Sequence, residues 1–273
     1  MDNWQSNFIG TNGIRLHYTR TGGDKPALVL LHGITDNGLC WSRVARALES
    51  EYDILMVDAR GHGLSDKPED GYSANDYAAD IAGLIENLGL GAVLLMGHSL
   101  GAMTTATVAA NYPQLVRGAV LEDPPWRDQS DPLAQMSPER ETAWMTEWRS
   151  NLIAQQKLPL AQIIAAGRER SPQWHADEFP NWAEAKTQVN PVVLGAGRLR
   201  TWTDLIPKIN CPVLLVTGDN AQGAIVTPGL VQKIHALNAR VEYAHIAGAG
   251  HNIRRDNFDE FVRIVRASLP HIG

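Results

Sequence analysis

An apolar run of strand length, Val93-Leu94-Leu95-Met96, meets Gly97-His98-Ser99-Leu100-Gly101, and small helix-compatible residues follow at Ala102, Thr104, Thr105 and Ala106. A strand that stops, a sharp turn and a helix that starts at once define a nucleophile elbow. Such a turn forces its apical residue into a strained backbone conformation. Gly97 and Gly101 stand two residues either side of Ser99, where a Cβ would collide across so tight a bend. The stretch therefore predicts a Ser99 hydroxyl held out at the carboxyl edge of a sheet. The helix that begins there aims free N–H groups at any negative charge that develops. Gly-x-Ser-x-Gly alone is a weak signal; between a strand and a helix it is a strong one.

The rest of the chain supplies the sheet that such an elbow needs. Phe8-Ile9 and Ile14 to Thr19 read as a hairpin about Asn12-Gly13. Ala27 to Leu31 and Ile54 to Val57 read as strands buried on both faces. Asn75 to Leu88 is an amphipathic helix with Tyr77, Ile81, Leu84, Ile85 and Leu88 on one face and Gly89 to end it. Val116 to Leu121 is a strand ending in Glu122-Asp123-Pro124-Pro125. From Trp126 to Thr203 strands nearly vanish, helical periodicity runs through Glu139–Gln156 and Leu160–Arg170, and six of the eight tryptophans occur. Alternation resumes with Val213–Val216, Pro228–Leu237, Val241–Ile246 and a last helix from Asn257 to Leu269, with Asp256 expected at its N-cap. The expected architecture is α/β, a mostly parallel doubly wound sheet. Its core would comprise residues 1–125 and 204–273, with 126–203 inserted as a helical cap. A chain of 273 residues is long enough for that arrangement.

Other classes are disfavoured. A net charge of −6 without a basic run argues against nucleic acid. No segment approaches the roughly 18 apolar residues of a membrane span, and the first residues lack the basic start and apolar stretch of a signal peptide. Cys40 and Cys211, far apart and without ligand spacing, read as reduced thiols, which suggests the cytoplasm. No metal motif and no dinucleotide fingerprint occurs, so no cofactor is expected. Oligomeric state is not legible.

In doubly wound sheets the chemistry lies beyond the carboxyl ends of the strands. His32, Asp58, Ser99, Asp123, Asp219 and His251 all fall there. A serine hydroxyl needs a base within reach. His251 lies in a Gly/Ala loop after the last strand, late in the chain, as the order serine, acid, histidine demands. His245 sits within strand alternation and reads as structural, and His98 reads as a packing residue.

The chain resembles the α/β-hydrolase family along nearly all its length. The residues that carry the resemblance are Leu31-His32-Gly33, Asp58-Ala59-Arg60-Gly61-His62-Gly63-Leu64-Ser65, Gly97-His98-Ser99-Leu100-Gly101, Val216-Thr217-Gly218-Asp219 and Gly250-His251. The resemblance implies that the backbone N–H groups of Leu100 and Ile34 form the oxyanion hole. It also exposes a departure. The family usually carries its acid at the position that is Ala221 here. Some members take it from the end of the sixth strand, which makes Asp123 the first choice, with Asp219 and Glu122 as alternatives. His32 and the Asp58–Ser65 run read as loop bracing.

Within the family, the length, the short oxyanion loop and the helical insertion are similar to small esterases and cap-bearing lactonases. Some of these open N-acyl-homoserine lactones, a quorum-quenching activity. The expected function is therefore a carboxylic-ester or lactone hydrolase with Ser99, His251 and Asp123 as its triad, acting on a small molecule. Trp126 and Trp144 are the candidate pocket aromatics. The rivals are other serine chemistries on the same fold, namely carbon–carbon bond hydrolysis, perhydrolysis and aminopeptidase action. The last would use Glu178 and Glu184 to hold an amine. A binding protein without turnover is the remaining rival, favoured by Ala221.

Overall fold

The computed structural model describes residues 3–128, 131, 134–195 and 202–273. Parts of the expected insertion, at 129–130, 132–133 and 196–201, lie outside the described residues.

Eight strands form one sheet: β1 (Gln5–Thr11), β2 (Ile14–Arg20), β3 (Ala27–Leu31), β4 (Asp53–Val57), β5 (Val93–His98), β6 (Val116–Glu122), β7 (Val213–Thr217) and β8 (Val241–His245), in the order β1-β2-β4-β3-β5-β6-β7-β8. Pairings from β4 to β8 are parallel; β1 with β2 and β2 with β4 are antiparallel. The hairpin closes through Asn12 and Gly13, both at positive φ (45° and 76°), which matches the strand twist.

The described residues form helices α1 (Ser42–Leu48), α2 (Ala74–Asn87), α3 (Leu100–Asn111), α4 (Pro138–Gln156), α5 (Leu160–Arg170), α6 (Glu178–Gln188), α7 (Trp202–Leu205), α8 (Pro228–Leu237), α9 (Ile253–Asp256) and α10 (Phe258–Ile272), and both faces of the sheet are covered by helices. Side chains alternate along each strand. Val29, Leu31, Leu55, Val57 and Leu95 pack on the face of α2, α3 and α8. Leu28, Leu30, Ile54, Met56, Leu94 and Met96 pack on the face of α1 and α10. This is why the central strands read as unbroken apolar runs.

The N-cap expected at Asp256 is corrected. Residues 253–256 form the short α9, and Asn257 stands at the N-cap of α10 without a side-chain cap bond. Asp256 instead accepts from the Gly250 N–H at 2.9 Å and the Trp174 indole at 2.7 Å, joining the loop before His251 to the helical segment. Those two bonds satisfy buried donors that would otherwise lack a partner, and the Gln173 amide adds a third at 3.0 Å.

The segment between β6 and β7 carries α4, α5 and α6. Ile163, Trp174, Phe179, Trp182 and Ala183 give it a small core of its own. A second cluster groups Leu152 of α4 with Val189, Val193, Leu194, Leu100 and Met103, with Met145, Trp148 and Ile34 packed at its edge, so α4 shares a core with the start of α3 and the loop after β3.

Candidate active site

Strand order reverses between β3 and β5, the switch point where doubly wound sheets open a crevice. Ser99 follows β5 there at φ 52°, ψ −115°, a conformation that costs a non-glycine residue about 1–3 kcal/mol. The turn tolerates this because its neighbours lack side chains. A Cβ on Gly97 would come within 2.2 Å of the Gly101 carbonyl carbon, and one on Gly101 within 2.0 Å of the Leu31 carbonyl oxygen. The Ser99 N–H donates to the Glu122 carbonyl at 2.9 Å, which pins the elbow to the end of β6.

Asp123, directly after β6, is the second strained residue, at φ 40°. Among the described non-glycine residues, positive φ occurs only at Asn12, Ser99 and Asp123. The first is a hairpin turn. The other two are the expected nucleophile and acid, and strain concentrates where function holds it.

The Asp123 carboxylate is fully buried. It accepts from the N–H groups of Ile225 (2.8 Å) and Val226 (2.9 Å) and from His251 Nδ1 at 2.6 Å. A carboxylate that accepts from two main-chain donors and from the imidazole Nδ1–H fixes the ring's orientation and selects the tautomer with its proton on Nδ1. The alternatives go elsewhere. Asp219 lies toward the surface and accepts from His245 Nε2 (2.9 Å) and the Gly248 N–H (2.7 Å). The Gly248 bond and the His245 contact hold its carboxyl below the usual range. Glu122 is buried against Arg254, accepting from its N–H (2.9 Å) and its guanidinium (3.0 Å). Ala221 is exposed in a short turn after β7.

The loop after β3 closes over the elbow because Gly33 has no side chain. A Cβ there would sit 2.8 Å from His98 Nδ1 and 3.6 Å from Ser99 Cβ. This brings the Ile34 peptide beside the start of α3, where Leu100 follows the serine. His32 braces the same loop, accepting from the Ala59 N–H at 3.0 Å. His62 Nε2 lies 2.7 Å from the Ile34 carbonyl, and burial lowers its pKa to about 4.

His98 does more than pack. Its Nε2 donates to the His251 carbonyl at 2.8 Å, and the two rings lie 4.7 Å apart. Burial, with Arg254 and His251 nearby, holds its pKa well below the ordinary value. It is a neutral brace on the loop that carries the candidate base. Sequence reasoning missed it because the variable residue of an elbow has no fixed partner.

The two candidate pocket tryptophans separate. Trp144 is half exposed and lies 5.5 Å from the Trp148 ring. Trp126 is corrected to a core residue: it is 2% exposed and belongs to the main cluster under the sheet, not to the one that holds Ile34 and Leu100. Its large apolar surface is better buried against the sheet than left open. Glu178, which the aminopeptidase rival would need free for an amine, is buried and paired with Arg255 (3.2 Å), and Glu184 is exposed beside Gln188.

Also unforeseen is Asp36, two residues past Ile34. Burial alone would raise its pKa, but Arg255, Lys186 and Arg254 outweigh it and hold it well below the ordinary 3.8. A depressed native value adds stability that is complete above the ordinary pKa and is lost as pH falls through the native one. The stability gap between wild type and Asp36→Asn should therefore be widest near pH 6 and narrow below about pH 4. Chemical unfolding at pH 6 and pH 3 would measure it; a constant gap would contradict the pairing.

Among the described residues, no group of three or more His, Cys, Asp or Glu side chains is placed to hold a metal. No described helix is long and apolar enough to cross a membrane.

These features, a serine elbow at the switch point of an eight-stranded α/β sheet with an acid–histidine pair at the end of the adjoining strand, define a class. The chain belongs to the α/β-hydrolase family: a model described as alpha/beta hydrolase fold matches residues 26–254. It is 34% identical over 248 residues to the 2-(acetamidomethylene)succinate hydrolase of Mesorhizobium japonicum, covering 86% of this chain and 84% of that one. It is 29% identical over 268 residues to the N-formylmaleamate deformylase of Pseudomonas putida, covering 96% of each. The crystal structure of E-2-(acetamidomethylene)succinate hydrolase superposes with a TM-score of 0.83 at 28% identity, over 97% of this chain and 98% of the other. The chain is a hydrolase of this family.

Proposed function

We propose that this protein is a serine hydrolase that removes an acyl group from nitrogen in small carboxylate-bearing molecules. The 2.6 Å bond from His251 to Asp123 at the end of β6, with a serine held at φ 52° at the end of the adjoining β5, carries the serine-hydrolase reading. Ser99 Oγ attacks the carbonyl carbon, and His251 Nε2 takes its proton. Asp123 holds Nδ1–H and stabilises the imidazolium. The Leu100 and Ile34 N–H groups receive the oxyanion, a contribution of about 3–4 kcal/mol per donor. The imidazolium then protonates the departing nitrogen, and water repeats the sequence to release the acid. The helical insertion acts as a cap over this site, and two buried free thiols suit a cytoplasmic protein.

The expected ester or lactone chemistry passes through the same acyl-enzyme. The leaving atom is drawn from the relatives, whose names denote N-acylated derivatives of succinate and maleamate. One residue of this chain supports a carboxylate in the substrate. Arg149 lies on the stripe of α4 that carries Met145, Trp148 and Leu152, side chains in the cluster that also holds Ile34 and Leu100. Half-buried, it donates to the Leu194 carbonyl, its Nε has no partner, and it pairs with no carboxylate among the described residues.

A panel of N-formylmaleamate, p-nitrophenyl acetate and an N-acyl-homoserine lactone tests the assignment. The formyl amide should give the highest kcat/KM by at least about tenfold; robust ester or lactone turnover with none on the amide would replace it. Arg149→Met should raise KM for the carboxylated amide roughly 10- to 100-fold, the worth of one charge-assisted bond, and leave that of the neutral ester within about twofold. Equal effects on both would remove Arg149 from substrate recognition.

A further inference from the structure

Behind the oxyanion loop lies a buried set of charges that the proposed chemistry does not use: Asp36, Glu122 and Glu178 with Lys186, Arg254 and Arg255, each at most 5% exposed, and Arg43 joins it at its edge, 3.4 Å from Glu178. Lys186, on α6, spends its ammonium on the Thr35 carbonyl (2.6 Å), the Thr35 hydroxyl (2.9 Å) and Asp36 (3.1 Å). The other Asp36 oxygen accepts from Arg255 (2.9 Å) and Arg254 (3.3 Å). Arg254 continues to Glu122 at 3.0 Å, and Arg255 to Glu178 at 3.2 Å. Three aromatic faces cover the cations, with Arg254 4.1 Å from the Trp41 ring centre, Arg255 4.8 Å from Trp174 and Lys186 4.9 Å from Trp182.

The chain segments joined in this way are the informative part. Thr35 and Asp36 follow the oxyanion donor Ile34. Glu122 precedes the acid Asp123. Arg254 and Arg255 lie three and four residues past the base His251. Glu178 and Lys186 belong to α6, between β6 and β7. Stability alone is a poor reason to bury six charges, because well-packed apolar residues often serve as well or better. What the network supplies is direction: every ion pair in it is hydrogen-bonded, with only the Arg254 Nε left without a partner, and such pairs tolerate less displacement than apolar packing.

We propose that Asp36 and Lys186 are positioning residues that hold the Ile34 peptide in register with the Asp123–His251 pair, so that the docking of α6 sets the oxyanion hole. This rests on the serine-hydrolase reading above. Neither residue touches the reacting atoms; both act through the Thr35–Asp36 backbone.

The test is inactivation by an alkyl fluorophosphonate, which needs Ser99, His251 and the oxyanion hole but no knowledge of the substrate. Lys186→Met keeps the length of the side chain and removes its three donors. It should lower the maximal inactivation rate roughly 30- to 100-fold, less than or comparable to the loss of a whole oxyanion donor. The half-saturating concentration should stay within about threefold, and the pH midpoint of the rate should not move, since the acid–base pair is intact. The double variant Asp36→Asn/Lys186→Met removes opposite charges together. It should recover much of the melting temperature lost by either single change, yet keep the slow rate. A wild-type rate in Lys186→Met, or recovery of rate together with melting temperature in the double variant, would reduce the network to a fold-stabilising one and overturn the proposal. If the single variant does not fold, the double variant decides alone. Wild-type protein that does not label at all would overturn the serine reading and this inference with it.

Discussion

Ser99→Ala is expected to abolish covalent labelling by fluorophosphonate and to lower kcat by about six orders of magnitude, with little change in stability. The size follows from the mechanism. Without the hydroxyl there is no acyl-enzyme, and what remains is the oxyanion hole acting on water. Binding should survive, because the change removes one hydroxyl and leaves the surrounding packed residues in place. Alanine at φ 52° keeps the same backbone strain, so the melting temperature should move by only a degree or two. Undiminished turnover in this variant would end the case for a serine enzyme.

Asp123→Asn is the second large effect, a fall in kcat of about four orders of magnitude. An asparagine there presents either an amide N–H₂ or a carbonyl to His251 Nδ1. With the N–H₂ outward, the imidazole is driven to the tautomer whose proton sits on Nε2, where it cannot accept from Ser99. The carbonyl cannot face both His251 and the Ile225 and Val226 N–H groups that now meet a carboxylate. Asp219→Asn should leave kcat within about twofold, since Asp219 bonds His245 and Gly248 on the far side of the loop. A reversed pair of results would transfer the role to Asp219. Fluorophosphonate labelling of Asp123→Asn should be slowed in parallel with turnover, which separates loss of the base from loss of substrate binding.

Legibility in the sequence followed the range of the interactions. The elbow is local: a strand, two glycines and a helix start within about ten residues dictate the strain at Ser99, and the observed φ matches. The buried strands are local as well, because apolar runs on both faces report a parallel sheet. His251 stood out as the candidate base through its place after the last strand. The candidate acid followed from the family resemblance, with Ala221 standing where a carboxylate is usual and Asp123, Asp219 and Glu122 left as the choices.

What sequence could not reach depends on partners far along the chain. Asp123, Asp219 and Glu122 are chemically alike and all lie at strand ends; only the fold shows that each faces a different base, namely His251, His245 and Arg254. Asp36 and Lys186 are 150 residues apart, and nothing in either neighbourhood announces the other. Trp126 and Trp144 looked equivalent as pocket aromatics, yet one is sealed in the core and the other is half exposed. Residue types and spacing determined by themselves that this chain builds a doubly wound sheet with a strained serine, because those follow from sterics and periodicity over a few residues. Tertiary structure alone decided which carboxylate meets which cation, because a buried charge is defined by what surrounds it in space and not by what adjoins it in the chain.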